Sequence, residues 1–176
     1  MRDANEKTIL ETERLIFAEA AFADAPFILD LLTQPSFLKY IGSRGVGDLE
    51  TALDYIRDLQ LQYRINGYGS YVVRLKDQDI PIGISGLIKR DSLDHADIGF
   101  AYHPDYWRQG YALEGAEALL QYGRDKLGLD PIIAITSPDN TASQKLLLKL
   151  GLVFDRTITM AGKADETWLY VPSIES

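Results

Sequence analysis

The segment from Ala96 to Thr136 constrains the possible folds of this chain more than any other part of the sequence. Ala96 to Tyr102 has the alternation of a strand, a helical period begins at Gly110, and Ile132 to Thr136 reads as a buried strand. A strand, helix, strand order predicts a right-handed crossover that joins two parallel strands. The fold must therefore contain at least one parallel pair.

Antiparallel strands surround this unit. Ser70 to Lys76, Ile82 to Arg90 and Ala96 to Tyr102 follow one another across short polar turns, which predicts a meander. The other predicted elements are a strand over 14–17, helices that begin after Asp24, Asp48 and Asn140, and closing strands over 152–160 and 166–171. We therefore expect an α+β fold, with a mixed, mostly antiparallel sheet of about seven strands and about four helices. Residues 1–11 form a lead-in segment, and 12–174 form a single domain.

The charge and residue content exclude several functions. The 176 residues carry a net charge of −8, which argues against nucleic acid and suits a cationic or amine-bearing partner, with a solvated acidic surface as the alternative explanation. The chain has no cysteine, so thiol catalysis is excluded, and its two separated histidines predict no metal site. The polar N-terminus predicts neither a signal peptide nor a membrane anchor, and cytoplasm is the expected location.

A candidate anion site lies between the strand that ends at Tyr102 and the helix that begins near Gly110. The first amides of a helix lack intrahelical partners and point along the positive end of its dipole, so they can hold a pyrophosphate. Gly110 would let the backbone approach such a ligand, and Arg108 would add a side-chain contact. The alternative is a glycine that only permits a tight turn.

Four separated motifs give the chain a family resemblance. They are Thr12-Glu13-Arg14-Leu15, Asp97-Ile98-Gly99-Phe100, His103-Pro104 with Tyr106-Trp107 and Gly110-Tyr111-Ala112, and Asn140 with Ser143, Leu150 and Gly151. In this order they resemble the GNAT acetyltransferases, and more closely their RimJ/RimL-like branch, the ribosomal-protein-alanine N-acetyltransferases. The resemblance implies a sheet whose central parallel pair splays apart, and a binding site for acetyl-CoA as co-substrate in the gap.

The resemblance also implies which residues bind the cofactor. Open backbone groups near Phe100 and Tyr102 would pair with the pantetheine arm, and an N–H near Ala101 or Tyr102 would polarise the thioester carbonyl. The full cofactor set implied by the resemblance is Phe100, Ala101, Tyr102, Trp107, Arg108, Gln109, Gly110, Tyr111, Ala112, Asn140 and Ser143. For the side chains of Phe100 and Tyr102 the alternative is core packing, and for Asn140 it is a helix cap.

The main candidates for proton transfer are Ser143, Asp97 and Glu166. Ser143 would protonate the departing thiolate, with Tyr106, Tyr111 and Tyr170 as other possible acids. An amine must lose a proton to attack, and Asp97 and Glu166 are the candidate bases. The alternative for Asp97 is a solvated strand carboxylate. No carboxylate occurs at 160–163, where relatives that act on ribosomal proteins place a glutamate.

The expected function is transfer of an acetyl group from acetyl-CoA to a primary amine by direct attack in a ternary complex. The acceptor is either a protein N-terminal α-amine or a small-molecule amine. A different class of function remains open, a catalytically inactive acyl-CoA-binding sensor or interaction module. A homodimer is a further possibility if the strand that carries Trp168 and Tyr170 is an open sheet edge.

Overall fold

The computed structural model describes residues 6–174, which form eight strands and five α-helices. The strands are β1 Thr8–Glu11, β2 Leu15–Ala18, β3 Ser70–Leu75, β4 Ile80–Ile88, β5 Asp97–Tyr102, β6 Ala134–Thr136, β7 Leu152–Ile158 and β8 Thr167–Pro172. The helices are α1 Ala25–Leu32, α2 Pro35–Tyr40, α3 Leu49–Asn66, α4 Tyr111–Asp125 and α5 Thr141–Lys149. The α+β class predicted from the sequence is confirmed.

The strands form two sheets. The larger has the order β1-β2-β3-β4-β5 with every neighbouring pair antiparallel, which confirms the predicted meander. The smaller has the order β6-β8-β7. The sheets meet at one parallel bridge between Asp97 and Ile133, where Ile98 N–H donates to Ile133 (2.8 Å) and Ile133 N–H donates to Ala96 (3.0 Å). The predicted parallel pair therefore exists, but it is one bridge long.

Helix α4 lies very close to the larger sheet. A Cβ atom on Gly115 would lie 2.7 Å from the Tyr102 hydroxyl, and one on Gly123 would lie 2.8 Å from Leu87. Both glycines are buried, and Leu119 between them is fully buried. A larger side chain at either glycine would force the helix off the sheet. This close packing fixes the N-terminus of α4 beside the end of β5.

Helix boundaries follow the predicted signals. Asp48 caps α3 by accepting a hydrogen bond from Thr51 N–H (2.8 Å), and Gly67 ends the helix at φ 81°. Asn140 caps α5, and Gly151 follows it at φ 85°. The first turn of α1 accommodates Pro26.

Three features of the structure go beyond the sequence expectations. Residues 8–11 of the lead-in form β1, because their backbone pairs with β2, whereas residues 1–5 lie outside the described residues. Pro35 ends α1 but also begins the short helix α2, since proline is well suited to a first helical turn. Trp168 and Tyr170 do not lie on an open edge, because β8 is the middle strand of its sheet. Among the described helices, none is both long and apolar enough to span a membrane.

Candidate functional site

A cavity of about 1220 Å³ opens where the two sheets diverge. Its walls come from β5, the N-termini of α4 and α5, the end of β6, helices α2 and α3, and the turn between β7 and β8. This volume exceeds that of most small-ligand pockets, which hold roughly 300–1,000 Å³. The cavity therefore has room for a long ligand and a second reactant beside it.

Backbone groups of β5 face this cavity without a strand partner. Bonding directions alternate along a strand, so the N–H groups of Phe100 and Tyr102 point the same way as that of Ile98, toward the gap. Strand β6 pairs with β8 and leaves β5 after the bridge at Ile133. The N–H of Ala101, by contrast, faces β4. The splay implied by the family resemblance is thus present, and of the two predicted oxyanion donors only Tyr102 is oriented toward the gap.

The loop after β5 presents the N-terminus of α4 to the same cavity. Arg108 and Gly110 both have positive φ angles, of 62° and 82°, and the helix begins directly afterwards. Its first regular bond runs from Glu114 N–H to the Gly110 carbonyl (3.0 Å), so the preceding amides remain available to a ligand. Trp107 fixes the loop to the strand because its indole N–H donates to the Tyr102 carbonyl (2.7 Å).

A polar brace ties this loop to the start of the domain. Glu114 accepts hydrogen bonds from the hydroxyl of Thr12 (2.5 Å) and from Nε of Arg14 (2.7 Å). Arg14 also donates to the Gln109 carbonyl (3.0 Å) and lies 4.3 Å from the centre of the Tyr111 ring. Burial raises the pKa of Glu114, but the bonds from Thr12 and Arg14 outweigh it and lower that pKa overall. The carboxyl group of Glu114 is therefore ionised at neutral pH.

The replacement Glu114→Gln tests this brace. We expect it to weaken acetyl-CoA binding about 5- to 30-fold, because a charge-assisted hydrogen bond contributes roughly 1–2 kcal/mol to holding the loop in place. The turnover number should change little, which titration calorimetry and saturation kinetics together would show. Glu117→Gln is the matched control, since Glu117 is exposed on the same helix and does not line the cavity. Equal affinities for the two variants would contradict the brace.

The first turn of α5 forms the opposite wall. The Oδ1 atom of Asn140 accepts a hydrogen bond from Ser143 N–H (3.2 Å), so Asn140 is a helix cap as well as a cavity residue. Ser143 is half-buried and lines the cavity, and within residues 6–174 its hydroxyl makes no hydrogen bond. The hydroxyl is thus free to bond to a ligand.

One carboxylate lines the cavity among the described residues, that of Asp97 at the start of β5. It is 1% exposed and accepts a bond from Nε of Arg90 (2.9 Å). The alternative of a solvated strand carboxylate is therefore wrong, because the bridge to β6 covers this end of the strand. Burial raises the pKa of Asp97, although Arg90 opposes the shift. The other candidate base, Glu166, is exposed and lies outside the cavity wall.

The charge of the cavity differs from that of the whole chain. Within the part of the chain that the structure describes, seven basic residues line the cavity against the single carboxylate of Asp97. These are Arg44, Lys89, Arg90, Arg108, Lys145, Lys149 and Lys163. The net charge of −8 suggested a cationic partner, yet the acidic residues lie elsewhere on the protein. The local field in the cavity favours anions.

The structure brings most of the predicted site residues together. Every residue of the predicted cofactor set lines the cavity except Gln109, whose backbone carbonyl instead accepts the bond from Arg14. Arg44, Tyr55 and Lys163 also line the cavity, and the sequence did not single them out because their segments have no recognisable motif. Tyr106 and Tyr111 line the cavity, whereas Tyr170 is buried away from it. Among residues 6–174, no three His, Asp or Glu side chains are grouped to hold a metal ion.

Comparison with known proteins agrees with this geometry. The family model described as an acetyltransferase (GNAT) domain matches residues 14–153. An uncharacterised N-acetyltransferase of Bacillus subtilis, YoaA, is 31% identical over 144 residues, 81% of each chain. Another from Bacillus licheniformis, p20, is 32% identical over 145 residues, 80% of each chain.

Solved structures extend the similarity to the whole fold. The structure of RimL, a ribosomal α-N-protein acetyltransferase in complex with coenzyme A, superimposes with a TM-score of 0.79 and covers 94% of this chain and 97% of its own. At 16% identity this likeness concerns the fold alone. The family model spans most of the chain, and the curated relatives match it over four fifths of their length. The chain belongs to the GNAT acetyltransferase family and is an N-acetyltransferase.

Proposed function

We propose that this protein transfers an acetyl group from acetyl-CoA to a primary amine by direct attack in a ternary complex. One observation carries the proposal: the open edge of β5 and the open N-terminus of α4 face the same cavity. An extended arm that carries amides suits the first, and a pyrophosphate suits the second. Coenzyme A has both parts, joined in that order.

The residues that line the cavity fit acetyl-CoA. Gly110 and the following amides of α4 would hold the pyrophosphate, with Arg108 as an added charge. Phe100 and Tyr102 would bond to the pantetheine amides through their backbone groups. RimL, whose fold is similar, forms a complex with coenzyme A. This agreement supports acetyl-CoA as the co-substrate of this chain.

The reaction forms a bond between the acceptor nitrogen and the acetyl carbon as the bond from that carbon to sulfur breaks. We propose that the N–H of Phe100, which faces the gap and lies nearer to Asp97 than that of Tyr102, stabilises negative charge on the carbonyl oxygen. Asp97 takes the proton that the amine must lose, directly or through water, because it is the carboxylate in the cavity wall. Ser143, whose hydroxyl lines the same cavity, relays a proton to the departing sulfur and regains one from solvent, so that coenzyme A leaves as the thiol.

The acceptor has two possible sources. RimL is an acetyltransferase for the α-amine of a ribosomal protein, so a protein N-terminus is one candidate for this chain. A small-molecule amine is the other, because the cavity admits both. Glu166 lies in the loop before β8 and would act as base only if that loop closed over the acceptor.

A pair of glycine variants tests cofactor binding. Gly110→Ala and Gly128→Ala both place a side chain at a positive φ angle, of 82° and 66°, at opposite ends of the segment that contains α4. Each should cost about 1–2 kcal/mol of stability through backbone strain alone. Only Gly110→Ala should also reduce the thermal stabilisation by acetyl-CoA, because Gly110 lines the cavity and Gly128 does not. Differential scanning fluorimetry measures both effects.

Turnover is then tested with the wild-type protein. The release of coenzyme A thiol is measured with each member of a panel of amines and N-terminal peptides. Binding with turnover supports the transferase. Binding without turnover on any acceptor would instead support an acyl-CoA sensor. The absence of any thermal shift with acetyl-CoA would overturn the cofactor assignment.

A further inference from the structure

A group of cations occupies the end of the cavity that the cofactor assignment does not use. Arg44 comes from the loop between α2 and α3, Lys89 and Arg90 follow β4, and Lys163 lies in the turn between β7 and β8. Three segments far apart in the sequence thus line the same cavity, and Arg90 contacts Asp97. We call Arg44, Lys89, Arg90 and Lys163 the cation cluster.

Three members of the cation cluster, Arg44, Arg90 and Lys163, act on one another. Partial burial and then the positive charges of Arg44 and Arg90 lower the pKa of the Lys163 amine. The same two arginines oppose the rise in pKa that burial imposes on Tyr55. Both side chains therefore lie within the field of Arg44 and Arg90. Like charges held together destabilise the protein unless an anion compensates them.

The protein itself supplies little compensation. Arg90 pairs with Asp97, but in the described part of the chain no carboxylate lies within ion-pair distance of Arg44, Lys89 or Lys163. The chain has 26 acidic residues against 18 basic ones, so carboxylates are abundant elsewhere. Because carboxylates are scarce at this end of the cavity, the positive charges there can bind an anion from outside the protein.

The phosphates of the cofactor do not account for the cation cluster. They belong at the N-terminus of α4, beside Tyr102, whereas Arg90 contacts Asp97 at the other end of β5. Five residue steps of about 3.3 Å each separate Asp97 from Tyr102, which is roughly 16 Å. The acceptor must enter near Asp97 if that residue takes its proton. The cation cluster is therefore placed to contact the acceptor.

We propose that the acceptor amine belongs to a molecule that also carries a carboxylate, and that Arg44 and Lys163 bind this carboxylate while the amine faces Asp97. The inference rests on the proposed acetyl transfer and specifies its substrate class. A carboxylate beside an amine occurs in free amino acids and in peptide N-termini followed by acidic residues. Each of these carries an amine and a carboxylate, whereas a polyamine carries a second positive charge in place of the carboxylate.

Matched acceptors distinguish these sources. One pair is β-alanine and β-alaninamide; the other is a peptide beginning Ser-Glu-Glu and the same peptide beginning Ser-Gln-Gln; putrescine is the cationic comparison. We expect the carboxylate member of at least one pair to have kcat/KM about tenfold or more above its neutral partner, as a charge-assisted contact provides. The preference should weaken with added salt. The pair that shows it identifies the source of the carboxylate.

Variants then assign the preference to the cation cluster. The double variant Arg44→Gln, Lys163→Gln should remove the preference while the KM for acetyl-CoA stays unchanged. The control is Arg124→Gln, Lys126→Gln, which makes the same change in net charge on exposed residues at the far end of α4. A preference that survives in the first double variant, or disappears in the control, overturns the assignment.

The outcomes separate this inference from the proposed function. Turnover that is equal for charged and neutral acceptors, or best with putrescine, overturns the carboxylate proposal and leaves the acetyltransferase intact. Acetyl-CoA binding with no turnover on any of the five acceptors also contradicts the carboxylate proposal, because both of its sources are in the panel. Failure to bind acetyl-CoA would overturn the proposed function itself.

Discussion

Replacing Asp97 with asparagine is expected to lower kcat by about 100- to 10,000-fold, the usual contribution of a general base. Asparagine has nearly the same shape and keeps an oxygen for Arg90, but it cannot take a proton. The pKa of Asp97 is raised, chiefly by burial, so the wild-type rate should fall with decreasing pH at a higher pH than for an ordinary aspartate. That acidic limb should be absent in Asp97→Asn, as steady-state rates across pH would show.

The matched control is Asp94→Asn, three residues earlier in the chain, where the side chain is exposed and lies outside the cavity wall. It should leave both the rate and the pH profile unchanged. Acetyl-CoA affinity should be preserved in both variants, which excludes gross misfolding as the cause of lost activity. A wild-type rate in Asp97→Asn would show that Asp97 is not the base. Glu166 or solvent would then be the candidate base.

Replacing Arg74 with alanine is expected to destabilise the protein by about 3–5 kcal/mol, because it leaves buried carboxylates without their cation. Arg74 is 7% exposed and lies 2.7 Å from Asp24, which is 1% exposed. It also lies 3.4 Å from Glu6 and donates to the Asp79 carbonyl (3.1 Å). This group connects the segment before β1, strand β3 and the turn before α1. Urea denaturation would measure the loss.

Arg57→Ala provides the comparison for this prediction. Arg57 makes an equally short ion pair with Asp54 (2.6 Å), but its side chain is 58% exposed. Solvent screens such a pair, so its loss should change stability by about 1 kcal/mol or less. If the two variants lost the same stability, burial of the Arg74 group would not be the deciding factor.

Local signals in the sequence predicted most of the secondary structure. Asp48 and Gly67 mark the ends of α3 because a side-chain cap and a left-handed glycine are determined by neighbouring residues alone. Strand β1 escaped prediction because four residues with mixed polarity form a strand only where β2 offers them a partner. Helix α2 was not predicted because a proline such as Pro35 is equally compatible with the end of one helix and the start of another.

Most of the proposed cofactor site has a local signal in the sequence. Strand β5, the loop with Gly110 and the start of α4 are consecutive in the chain, so one short motif contains them, and only Asn140 and Ser143 come from a separate segment. The acceptor side was not predictable in this way. Arg44, Arg90 and Lys163 lie in three separate loops, and none of these loops has a pattern that points to the others.

The sequence by itself therefore determined the strand, helix, strand unit, the helix ends and the loop proposed to bind an anion, since each depends on contacts between near neighbours. The tertiary structure decided the rest. The departure of β6 from β5 after Ile133 opens the cavity, and packing around Asp97 buries a carboxylate that its strand position alone would leave in solvent. The same long-range folding gathers positive charge into one cavity of an acidic protein, because electrostatic interactions depend on distance in space and not on separation along the chain.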